Sequence, residues 1–125
     1  MFYIYTLSLK GRIFYVGCSA DPVTRYKTHY HDSLSKCYDL IRYWLKEHDT
    51  TMVMNIIDCY DNKIHAFYKE NMYIDKYNAI YPLLNNQHHP WLYTRAFVRI
   101  DKLITSGRIE NEIQSVKNQI ENYGK

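Results

Sequence analysis

Cysteine is sparse and unpaired in this chain. Only Cys18, Cys37 and Cys59 are present, an odd number with no close pair. A dedicated zinc site wants paired Cys or His ligands at short spacing, and the only close histidines are His29 with His31 and His88 with His89. Reduced thiols in a cytoplasmic or otherwise intracellular protein are therefore the expectation. Long apolar runs are missing too. No stretch suits a membrane span or signal segment, and Met1 leads directly into a strand-like segment without a basic leader, so no membrane partner is expected. Concentrated positive charge is the third absence. Lysine and arginine number 16 against 13 acidic residues, spread along the chain with no basic tail, so tight non-specific DNA binding from charge alone is not expected. No zinc finger, RING-like cysteine set or helix-turn-helix pattern is visible.

What the chain does have is tyrosine, 14 of 125 residues, and its placement says more than its number. Phe2 to Ser8 and Ile13 to Cys18 are rich in β-branched, aromatic and hydroxylated residues, with Leu9-Lys10-Gly11-Arg12 between them. A two-residue loop at Lys10-Gly11 sets Tyr5 opposite Val16. A three-residue loop, Leu9-Lys10-Gly11, sets Tyr5 opposite Tyr15. The longer loop wants a left-handed third residue, which Gly11 supplies, and is the expected one. Tyr3, Tyr5, Tyr15 and Gly17 then share a face, and bare Gly17 lets another group approach the sheet. Asp21-Pro22 is a helix start, with aspartate as cap and proline first. Arg25 and His29 follow on one helical face. Taken singly, these are a packing pair and a casual basic pair. Together they gather phenol, guanidinium and imidazole near one point, a set suited to handling phosphate.

In this order the residues are recognisable. Tyr3-Ile4-Tyr5, Tyr15-Val16-Gly17, Arg25 and His29 resemble the catalytic core of the GIY-YIG nuclease family, with Tyr3 where the eponymous glycine usually stands. The resemblance extends to Glu70 at the family's helical glutamate and Asn85 at its asparagine, and covers roughly residues 1–90. It implies an α/β fold, a small three-stranded antiparallel sheet flanked by helices, and a divalent-metal-dependent endonuclease acting on DNA. Tyr5, Tyr15, Arg25, His29, Glu70 and Asn85 would form the catalytic set. Glu70 would hold Mg²⁺ or Mn²⁺, and Arg25 the phosphate. Tyr5 and His29 both stand as candidates for the base. Arg12, Lys27, Arg95 and Arg99 are further candidates for contacting nucleic acid.

The remaining pattern fits that frame. A helix is expected over 36–48 with Leu40, Ile41, Trp44 and Leu45 as its apolar stripe, and a strand over 52–60, apolar enough to be central. Another helix is expected over 63–77, capped by Asp61 or Asn62. Its Ile64, Phe67 and Ile74 fall on the most apolar face, and Glu70 lies at an edge. Residues 91–125 are expected as a helical C-terminal extension. Trp91, Tyr93 and Phe97 interleave there with Arg95, Arg99 and Lys102. After Ser106-Gly107, the residues Ile109, Ile113, Val116, Ile120 and Tyr123 form a short heptad seam, expected to pack on the domain and leave a monomer rather than a homodimer. DNA, branched or site-specific, and a separate targeting protein are the implied partners. An inactive nucleic-acid-binding module of the same fold and a small interaction protein using the last helix are the alternatives.

Overall fold

The computed structural model describes residues 1–31, 40–41, 51–80, 83 and 107–123. Trp44, Leu45, Asn85, Arg95 and Arg99, and with them most of the expected 36–48 helix and the 91–104 segment, lie outside the described residues.

Strands β1 (Phe2–Leu9), β2 (Arg12–Ser19) and β3 (Val53–Tyr60) form one antiparallel sheet in the order β2-β1-β3. The turn between β1 and β2 differs from the expected one. Lys10 and Gly11 both have positive φ, 50° and 78°, and Leu9 pairs with Arg12. This is the two-residue, left-handed turn whose twist matches a hairpin. By itself it would turn Tyr5 away from Tyr15. A β-bulge reverses that outcome. The register shifts between Leu7↔Tyr15 and Ser8↔Ile13, leaving Phe14 unpaired, so that Tyr5 faces Gly17. Phe14 and Tyr15, although adjacent, both pack into the same core, which a regular strand with alternating side chains does not allow. The shared face of Tyr3, Tyr5, Tyr15 and Gly17 is thus recovered by a route the turn alone does not provide.

A second bulge lies on the other side of β1. Ile4 pairs with Asp58 and Tyr5 with Ile56, which leaves Ile57 extra. It puts Ile56 into one core and Ile57 against the other. The expectation of a central third strand is corrected here. Among the described residues β1 is central, β3 is an edge strand and its Asn55 is exposed.

Helices cover both faces of the sheet. Helix α1 (Pro22–His31) starts at Asp21, whose carboxylate accepts from the Thr24 amide at 3.2 Å and the Thr24 hydroxyl at 2.6 Å. Its Tyr26 and Tyr30 are buried beside Leu7, Leu40, Ile41 and Met52. The Tyr26 hydroxyl donates to the Met52 carbonyl at 2.6 Å, and the Tyr30 hydroxyl accepts from the Met52 amide at 3.0 Å. These two bonds fasten α1 to the residue that leads into β3. Helix α2 (Lys63–Asn78) covers the opposite face. Asn62 caps it, accepting from the amides of Ile64 and His65. The expected apolar stripe is only partly buried: Ile64 is 81 % and Phe67 60 % exposed, while Ile74 of the same stripe is buried together with Ala66. The reason is polar. The Asp58 carboxylate of β3 accepts from Tyr73 at 2.9 Å and Tyr60 at 2.6 Å. That anchor turns the Ala66–Glu70–Tyr73–Tyr77 side of α2 to the sheet. Helix α3 (Arg108–Tyr123) follows Gly107, φ 78°. Its Ile109, Ile113 and Val116 are buried in the core that holds Tyr5, Tyr26 and Tyr30, so the heptad seam packs on its own chain. Among the described residues no helix is long and apolar enough to cross a membrane.

Tyr26→Phe is expected to leave the Met52 carbonyl without its donor inside the core. A loss of about 1–3 kcal/mol in urea denaturation, with little change in slope, would follow.

Candidate active site

The site grows from a missing side chain. Tyr5 stands opposite Gly17 across the β1–β2 ladder, and its ring lies over that glycine. A Cβ at Gly17 would overlap the Cζ and Oη atoms of Tyr5. The glycine therefore gives the ring the room it occupies, and the ring is completely buried. The sequence pointed to a close approach at Gly17, and the group that approaches is Tyr5 itself.

Helix α1 then brings its polar face to the same point. The Tyr5 hydroxyl and His29 Nε2 are 3.1 Å apart. The His29 ring meets Tyr15 edge-on with centroids 5.3 Å apart, and Tyr5 and Tyr15 lie 6.3 Å apart. His29 is 2 % exposed. Burial, aided by the Arg25 charge one turn back, lowers its pKa to about 4. The imidazole is neutral near pH 7, and in the tautomer protonated at Nδ1 its Nε2 accepts the Tyr5 proton. Arg25 remains open to solvent. Partial desolvation works to lower its pKa, but hydrogen bonds and charge from Tyr5, then Tyr15, outweigh this and raise it. Tyr15 is half-buried. The centre therefore has two layers: Arg25 and Tyr15 reach solvent, and Tyr5 with His29 lies sealed behind them.

The other expected residues fall in different places. Glu70 sits half-buried on α2, on the far side of the sheet from His29, where its charge reaches Cys18 on edge strand β2. Desolvation raises its pKa. Among the described residues no group of three His, Cys, Asp or Glu gathers to hold a metal. A single half-buried carboxylate whose charge is penalised by burial nevertheless fits a hard cation that keeps most of its waters. Lys27 is exposed on α1 near Asp21. Arg12 is exposed beside the hairpin turn, about 16 Å along β2 from Gly17 at the usual strand rise, so it is not part of the Tyr5 centre. Sequence reasoning missed the contribution of α3, whose Gln119 and Tyr123 bond the backbone of β3. Their spacing of four was the only signal.

Comparison with known families agrees with this fold. Residues 1–85 match the GIY-YIG catalytic domain. The chain belongs to that family. It is a nuclease family, and the three-stranded α/β sandwich is that of a GIY-YIG domain, for which DNA is the implied substrate and divalent metals the general cofactors. No curated protein and no solved structure matches the chain. Helix α3 lies beyond the matched residues yet completes the core of this GIY-YIG domain.

Two outcomes are expected. Gly17→Ala should displace the Tyr5 ring and separate it from His29, seen as a changed imidazole nitrogen shift by NMR. His29 should make stability depend on pH. Its folded pKa is below the usual value of about 6.5, so its contribution is complete above that pH. It falls away as pH drops towards 4, because the unfolded chain takes up the proton first. The loss is on the order of 3 kcal/mol. Urea titrations at several pH values should show this slope, and His29→Asn should flatten it.

Proposed function

We propose that this GIY-YIG domain is a divalent-metal-dependent endonuclease that hydrolyses DNA phosphodiester bonds at the Tyr5–Tyr15–Arg25–His29 centre. The observation that carries the proposal is the 3.1 Å approach of the Tyr5 hydroxyl to a buried His29, with the Arg25 guanidinium near enough to both tyrosine hydroxyls for them to favour its charge. A structural aromatic pair has no need of a neutral imidazole behind it and a cation in front.

Each residue has a role that follows from its position. Arg25 faces solvent and stays charged, so it meets the phosphate and stabilises the charge that develops on it. Tyr15, half-open beside it, donates to a phosphate oxygen or orients the attacking water. Tyr5, ionised beside the Arg25 charge, takes the proton of a water that enters between Arg25 and Tyr15, and neutral His29 Nε2 holds the re-formed hydroxyl by accepting its hydrogen bond. An isolated tyrosine is only about one-thousandth ionised at neutral pH. The Arg25 charge makes ionisation of Tyr5 less costly here, while His29, kept neutral by burial and by that same charge, orients the hydroxyl without taking its proton. Of the two candidates for the base, Tyr5 is the one proposed, with His29 as the group that orients it. Glu70, on the α2 side of edge strand β2 rather than beside His29, would hold Mg²⁺ or Mn²⁺, which when bound would supply positive charge to the DNA phosphate. Asn85 keeps the orienting role implied by its motif position. Lys27 adds positive charge on α1, Arg12 is proposed as a more distant contact to the DNA backbone, and Arg95 and Arg99 are proposed as further contacts to nucleic acid.

The test is nicking of supercoiled plasmid with Mg²⁺ or Mn²⁺. Arg25→Ala and Glu70→Ala should each lower the rate by about 100-fold or more. Unchanged activity in either would remove that residue from the mechanism. A wild-type protein that binds DNA but never nicks it would favour the inactive binding module.

A further inference from the structure

Strand β3 is an edge strand, and such strands present unpaired backbone groups to solvent. Here α3 takes them. The Ile56 amide donates to Gln119 Oε1 at 2.6 Å, Gln119 Nε2 donates to the Met54 carbonyl at 3.1 Å, and Tyr123 donates to the Ile56 carbonyl at 3.2 Å. One side-chain amide thus fills an acceptor and a donor position as a neighbouring strand would. Ile56 has both its outward backbone groups bonded to residues one helical turn apart.

Ile56 is not an arbitrary residue of β3. It is the register partner of Tyr5, and it borders the bulge at Ile57 where the β1–β3 ladder slips by one residue. Bulges interrupt the ladder and leave local backbone groups to be satisfied elsewhere. A one-residue change of register exchanges the faces of all side chains along that stretch. The three bonds to α3 therefore fall where β3 could change register and where that change would reach Tyr5. On its other side the register partner of Tyr5 is Gly17, over which the ring lies.

We propose that Gln119, supported by Tyr123, is a positioning residue for the Tyr5–His29 pair. It fixes the β3 bulge so that β1 presents the Tyr5 hydroxyl to His29 Nε2. The inference rests on the reading of that pair as a nuclease centre, but its principal measurement does not require nuclease activity.

The test compares Gln119→Met, which keeps size and loses both bonds, with Gln119→Glu, which keeps the acceptor for Ile56. Tyr123→Phe, a milder change near the chain's end, serves should Gln119→Met fail to fold. The first readout is the His29 imidazole nitrogen shifts, followed by NMR. Gln119→Met should move them and speed amide exchange at Ile56, Gln119→Glu should restore most of both, and Tyr123→Phe should give a smaller change of the same sign. The second readout is plasmid nicking, where kcat should fall about 10-fold in Gln119→Met with KM unchanged. Unaltered His29 shifts in a folded Gln119→Met or Tyr123→Phe protein would overturn the inference, whatever the activity. Shifted His29 resonances in a protein whose wild type nicks no DNA would uphold the positioning and overturn the nuclease reading instead.

Discussion

The arrangement depends on one steric fact, the seating of the Tyr5 ring on a residue without a side chain. Because Gly17 leaves that space empty, Tyr5 lies flat enough to be fully buried and still reach His29. The two bulges follow from the same requirement. The one at Phe14 returns Tyr5 and Tyr15 to a common face after a turn that would have separated them. The one at Ile57 lets Ile56 flank Tyr5 while Asp58 turns to the other face and anchors α2 through Tyr73. Central strand β1 is therefore constrained from both sides at one residue.

Burial sets the electrostatics. An imidazole removed from water and placed near a guanidinium is kept neutral, which makes it an acceptor for a phenol. The guanidinium gains from the tyrosine hydroxyls more than desolvation takes away. Arg25, Tyr15, Tyr5 and His29 thus form a graded path from a solvent-facing cation to a buried neutral acceptor. On the other face of the sheet Glu70 carries the opposite perturbation, a carboxylate whose charge is disfavoured by partial burial. A bound cation would relieve that penalty.

The helices divide the work unevenly. Helix α1 supplies the functional face and, through Tyr26 and Tyr30, the clasp on Met52. Helix α2 supplies Glu70 and leaves an apolar stripe of Ile64, Phe67, Tyr68 and Met72 exposed. Helix α3 supplies no group to the tyrosine centre, yet it closes the core over Tyr5 and bonds the outer edge of β3.

Much of this was legible in the sequence. The hairpin, the Asp21 cap, the Arg25–His29 face, the shared face of the tyrosines and the close approach at Gly17 follow from local chemistry, because turn residues, caps and periodicity act over a few neighbours. The reasoning reached the right face for Tyr5 through the wrong loop. A bulge is settled by what two packed faces demand of Phe14 and Tyr15, not by the turn residues. For the same reason periodicity put Ile64, Phe67 and Ile74 on one apolar face of α2, yet with Tyr73 bonded to the Asp58 carboxylate of β3 only Ile74 of the three is buried. Residue types and their order determined the family and the candidate chemistry. Only the tertiary structure decided which strand lies in the centre, which tyrosine is sealed and which is open, and that Gln119 holds the edge. Each of these depends on contacts between residues far apart in the chain, whose burial no local pattern encodes.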